Sequence, residues 1–141
     1  MPTRAELSKA AEQREAHTPL MIAALEGDTG TVADLLAVRT NVNAKDNEGR
    51  TALMFAVVNS HPKIVKALLR AGARVNARAR DGGTALMLAA ANGDIEIARM
   101  LLNKGAKTGY SYVSTGQTAA AIAAERDYED LVELLQKRVV K

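Results

Sequence analysis

The sequence has no cysteine and no tryptophan, and aromatic residues make up only 3% of it. Without cysteine there is no disulfide, no thiol nucleophile and no thiolate metal ligand. With only His17 and His61 as imidazoles, a histidine-based metal site or acid–base pair has few candidates. The near-absence of aromatic rings means that any core must be built from alanine and aliphatic side chains. No apolar run approaches the ~18 residues that span a bilayer. The opening MPTRAELSKAAEQ has no apolar signal core. The expected compartment is the cytoplasm, with periplasm or secretion as the alternative if a leader has been removed. The phosphate-binding, nucleophile-elbow and zinc-helix motifs are also missing. Carboxylates are plentiful, but they fall at turns and on helix outer faces, where solvation accounts for them. No catalytic, metal or cofactor site is read from the sequence, and the chain is not expected to be an enzyme.

Hydrophobic residues make up 48% of the 141 residues, a composition that argues against disorder. The formal net charge is +3, and acids are interleaved with bases along the chain. An acidic protein partner is compatible with that balance. A nucleic-acid ligand is disfavoured, because the cations are not gathered in one aromatic-rich patch.

A repeat organises the chain. Thr51-Ala52-Leu53-Met54 lies 33 positions after Thr18-Pro19-Leu20-Met21 and 33 before Thr84-Ala85-Leu86-Met87. A weaker copy, Thr118-Ala119-Ala120-Ala121, follows 34 positions on. The pairs Leu35-Leu36, Leu68-Leu69 and Leu101-Leu102 keep the same step. A fixed period of this size denotes stacked supersecondary units. In each unit a threonine precedes an apolar helix, and a short turn leads to a second, amphipathic helix.

These residues resemble the ankyrin repeat family, whose unit runs G-x-T-P-L-H, helix, turn, helix and then G-A-x-V-N. The resemblance covers roughly Thr18 to Lys137. It implies an all-α helix-turn-helix solenoid with β-hairpin fingers, in four repeats at about 17–44, 45–77, 78–110 and 111–141. Residues 1–16 are expected to add an N-terminal helix, with Thr3 and Glu6 spaced as a capping box; a frayed tail is the alternative.

Several positions depart from the pattern. The family's TPLH histidine, which hydrogen-bonds between repeats, is Met21, Met54, Met87 and finally Ala121. The methionines are expected to pack in the core. Thr31 and Asp34 stand where later units have Ile64, Ile97, Ala67 and Met100, and Gln136 stands where they have leucine. Polar faces on end units keep a stack soluble. Glu129, Asp130, Glu133, Lys137 and Arg138 are expected to fill the last helix's outer face. Arg39 replaces the glycine of Gly72 and Gly105, which puts the left-handed turn after that helix in doubt. One residue is inserted in the last finger, so that loop must bulge or lengthen. His61, at the family's turn position, is given a structural role.

The function implied by the resemblance is protein binding through a concave surface of finger loops and first-helix ends. On this sequence those positions are Lys45, Asn47, Glu48, Arg50, Val58, Asn59, Arg78, Arg80, Asp81, Asn92 and Arg126, with Leu25, Glu26 and Ala91 beside them. Tyr110 and Tyr112, two apart in the irregular last finger, would project to the same side of an extended segment. Tyr and Arg dominate interface hot spots. The simplest outcome is the masking of a partner, such as an enzyme with an acidic surface, by a chain that is a monomer on its own. An adaptor joining two proteins is the alternative. Nucleic-acid binding through Arg74, Arg78 and Arg80 ranks below both, and no membrane contact is expected.

Overall fold

The computed structural model describes residues 17–139. The helix expected within 1–16 lies outside the described residues, as does the side chain of Arg138. Eight helices run in four consecutive pairs among the described residues: α1 Pro19–Glu26 with α2 Thr29–Ala37, α3 Ala52–Val58 with α4 Pro62–Arg70, α5 Ala85–Asn92 with α6 Ile95–Asn103, and α7 Ala119–Glu125 with α8 Glu129–Val139.

Each first helix starts at a threonine. The hydroxyls of Thr18, Thr51, Thr84 and Thr118 accept from the N–H three residues on, at 3.2, 3.4, 3.3 and 3.3 Å. A side-chain acceptor there satisfies one of the donors that a helix leaves free at its start. In α1 the Met21 sulfur also takes the Thr18 N–H at 3.4 Å. That methionine thus serves as a weak acceptor as well as packing. Asp28 and Asp94 cap α2 and α6 in the same way. At α4, His61 makes no side-chain cap, and Pro62 opens the helix, where its missing N–H costs nothing.

The first helices bury a row of alanines among their larger apolar residues: Ala23, Ala24, Ala56, Ala89, Ala90 and Ala123 are all buried. Helix axes approach according to the side chains between them, so this row packs closely, whereas the second helices touch one another less. Leucines and methionines fill the space between the rows, with Leu20, Met21, Leu53, Leu86, Met87, Leu101, Leu131 and Leu135 all buried. The methionine ladder is core packing.

The ends differ as the sequence suggests. In α2 only Val32 is buried, and Thr31 and Asp34 face solvent. In α8, Gln136 is exposed along with Glu129, Asp130, Glu133 and Lys137.

Backbone turns recur with the period. Positive φ occurs between paired helices at Gly27, Ser60, Gly93 and Asp127, after second helices at Arg39, Gly72 and Gly105, and at loop tips at Gly49, Gly82 and Gly116. The doubt over Arg39 is resolved: it takes the left-handed conformation at φ 57° although it is not glycine. The stack dictates the turn, and the residue complies at a cost of ~1–2 kcal/mol.

The expected β-hairpin fingers are reduced, among the described residues, to turn-closed loops. One isolated bridge, Ser111–Thr118, is the only pairing there. In the first two loops the Asp46 N–H meets the Arg50 carbonyl and the Ala79 N–H meets the Gly83 carbonyl, both at 2.9 Å. A single narrow pair is too short to propagate a ladder. In the last loop the equivalent bond joins the Tyr112 N–H to the Gln117 carbonyl at 3.0 Å. The loop is one residue longer there, so the insertion is absorbed at the tip.

Candidate functional site

Three loops at 45–50, 78–83 and 110–117 line one face beside the ends of the first helices. Hydrogen bonds tie the loops to one another. The Arg80 N–H donates to the Glu48 carbonyl, and the Val113 N–H donates to the Asp81 carbonyl, both at 2.9 Å. Lys45 Nζ reaches the Arg78 carbonyl at 3.4 Å. An Arg80 guanidinium nitrogen reaches the Asn47 carbonyl at 3.3 Å.

Asp46 is the hub of the first loop. Its carboxylate is buried and accepts from the N–H groups of Glu48 and Arg50 at 2.9 and 2.8 Å and from Arg50 Nε at 2.9 Å. His17 Nε2 lies 3.3 Å from Oδ2, the oxygen that also accepts from Arg50 Nε. Burial pushes the Asp46 carboxyl up, but these donors and the Arg50 charge outweigh it and hold the group below the usual carboxylate range. Arg50 also lies 5.1 Å over the Phe55 ring, so this candidate contact residue is half committed to its own fold.

Arg78 departs further from the exposed basic finger expected of it. It is half-buried. Its guanidinium donates to the Gly82 carbonyl at 3.1 Å and to the Ser111 carbonyl at 2.7 Å, and sits 4.7 Å over the Tyr110 ring. The Arg74, Arg78 and Arg80 set is therefore not a free patch.

The two tyrosines do not stand out as a free pair. Both are half-buried and pack against the core. Tyr110 is held between Arg78 and Lys107, whose Nζ is 5.9 Å from the ring. The Tyr112 ring lies against Gly83; a Cβ there would come within 2.9 Å of it. Burial first, and the Asp81 carboxylate second, raise the Tyr112 phenol above its ordinary value. The exposed apolar group of this loop is Val113, at 78%.

Asn59 and Asn92 are exposed, but their amides are bonded to the preceding unit. The Asn59 amide donates to the Leu25 carbonyl at 2.8 Å. The Asn92 amide donates to the Val57 and Val58 carbonyls at 3.2 and 3.0 Å. Each satisfies a carbonyl that the preceding first helix leaves free at its end. His61 does the same for Leu25 at 3.1 Å, which bears out its structural role. Two further asparagines went unread in the sequence. Asn43 bridges Gly72 and Arg74, and Asn76 bridges Gly105 and Lys107. Their recurrence 33 apart was the available signal.

An apolar surface remains. Leu25 is 37% exposed and Val58, one period later, 41%. Ile22, three residues before Leu25, is 46% exposed; it too was missed. The same face of the stack continues through half-buried Leu88 and Ala91. Lys45, Asn47, Glu48, Arg80, Asp81 and Arg126 are exposed around this face. Among the described residues no three His, Asp or Glu side chains gather as a metal-binding group. No helix there is long and apolar enough to cross a membrane.

A sequence-family model described as "Ankyrin repeats (3 copies)" matches residues 4–79 and 72–140. No curated protein matches the chain.

Proposed function

The chain belongs to the ankyrin repeat family, whose members are generally non-catalytic protein–protein interaction modules, and we propose that this one binds a partner protein through its loop and first-helix face and masks it. The observation that carries the reading is the exposed aliphatic set Ile22, Leu25 and Val58 on adjacent helices. Contiguous exposed apolar groups rimmed by polar loops mark interaction surfaces. The rim here is Lys45, Asn47, Glu48, Arg50, Arg80 and Asp81, with Arg126 farther along and Asn59 and Asn92 bracing the helix ends. Four stacked units, the last with a lengthened loop, would give the partner one continuous surface. Tyr110 and Tyr112 frame the last loop, where they support Val113 at the tip.

The test is cross-linking capture from source-cell lysate with the full chain as bait, beside Leu25→Asp/Val58→Asp and Tyr110→Ala/Tyr112→Ala variants. One dominant partner, lost with the first variant while circular dichroism stays unchanged, supports the site. Its activity is then assayed with and without the chain; a fall supports masking. Two partners held at once would replace masking with an adaptor role. A partner retained by the Leu25→Asp/Val58→Asp variant would move the site off this face.

A further inference from the structure

On the other face, the looser row of second helices leaves a groove of about 600 Å³ between α4 and α6. Lys63, Lys66 and Arg70 line it from α4, and Lys104 lines it from the end of α6. Leu69 and Met100 form its apolar floor. We propose that this groove docks an acidic amphipathic helix of a partner protein, with carboxylates on the four cations and aliphatic side chains on Leu69 and Met100.

The repeat itself does not call for these cations. The positions of Lys63, Lys66 and Arg70 are held by Gly30, Ala33 and Ala37 one period earlier, and by Glu96, Arg99 and Asn103 one period later. Within α4 they lie three and four apart on one face, where like charges repel. Lys63 is in the first turn, where the helix dipole disfavours a cation. The helix has no acidic residue. Among the described residues none of the four cations forms an ion pair, and the one facing acid, Glu96, forms none either. Arg70, in the last turn, is favoured by the dipole, but the like charges of Lys63, Lys66 and Arg70 still repel along one face and are uncompensated within the described fold; an anionic partner would compensate them.

The floor identifies the class of partner. Leu69 and Met100 offer aliphatic contact, and methionine adapts to varied apolar shapes. No aromatic ring lines the groove, so a nucleobase would have nothing to stack on, and Glu96 would face its phosphates. Helices of this length extend ~13 Å, which matches two to three turns of a docked helix.

The probe is a fluorescein-labelled helical peptide of about 18 residues, ~27 Å long, with a leucine stripe flanked by glutamates. Its controls are a scrambled peptide of the same composition and a single-stranded oligonucleotide of equal charge. Anisotropy with the full chain is expected to show binding that weakens at least ~10-fold in Lys66→Glu/Arg70→Glu and for the scrambled peptide. An equal charge change away from the groove, Arg74→Glu/Lys137→Glu, is expected to alter affinity less than ~2-fold. Amide shift changes on α4 and α6 in two-dimensional NMR would support the location. Any of four results overturns the proposal: no peptide binding tighter than ~1 mM, an unaffected groove variant, shift changes on the first helices instead, or tighter groove-dependent binding of the oligonucleotide.

Discussion

At Arg39 the period and the residue disagree, and the period prevails. Gly72 and Gly105 occupy the same turn with nothing within 4 Å of a built Cβ, at φ 95° and 91°. Replacing Arg39 by glycine should therefore stabilise the chain by ~0.5–1 kcal/mol in a urea melt, the strain relieved exceeding the extra unfolded-state entropy. Glycines at the inter-helix turn are held more strictly. A Cβ at Gly93 would sit 2.7 Å from the Tyr128 ring. Gly93→Ala should thus cost more than Gly105→Ala, whose penalty is the ~1–2 kcal/mol of backbone strain alone; equal costs would show that the ring moves freely. Asp46 makes the second residue-scale case. Its folded-state pKa is depressed, so its contribution is complete above the ordinary carboxylate value near pH ~4 and is lost as pH falls through the lower folded value. Asp46→Asn should cost ~1–3 kcal/mol at neutral pH. It should also flatten the acid limb of the stability–pH curve; an unchanged acid limb would show that other carboxylates set it.

At the scale of elements, the loops show how little of a finger is needed to hold its neighbour. One backbone bond passes from each loop to the next, and the residue inserted in the last loop changes only its tip. Deleting Ser114 should restore the shorter turn and shift stability by less than ~1 kcal/mol, because exposed loop tips tolerate such changes. A larger loss in a thermal melt would mean that the Val113–Asp81 bond depends on the longer tip. The asparagines belong to this scale as well. Asn43, Asn59, Asn76 and Asn92 each close a helix end in the neighbouring unit, so side chains that look available for a ligand are already occupied.

Across the whole molecule, stability passes from neighbour to neighbour. Leu86 is 1% exposed, on a helix packed between α3 and α7. Leu86→Ala should cost ~2–5 kcal/mol and lower a single unfolding transition. Two separated transitions in circular dichroism would show that the halves fold independently.

The period, the threonine caps, the methionine ladder, the polar end faces and the loop insertion could all be read from the sequence. Each follows from residue type and spacing, which are local quantities. The chain's order along the stack was therefore determined before any contact was known. What only the tertiary structure decided is which polar and aromatic side chains remain available. Arg78, Tyr110, Tyr112, Asn59 and Asn92 read as a binding surface, because in one dimension an exposed group and a group bonded to the next repeat look alike. Their partners lie about one repeat away in the chain, where the stack, not the local sequence, brings backbone carbonyls and rings within reach. Ile22 shows the converse: its helical spacing is that of a core residue, and only the packing of α1 against α3 determines that it is left facing solvent beside Leu25 and Val58, which the repeat register had already placed on the surface.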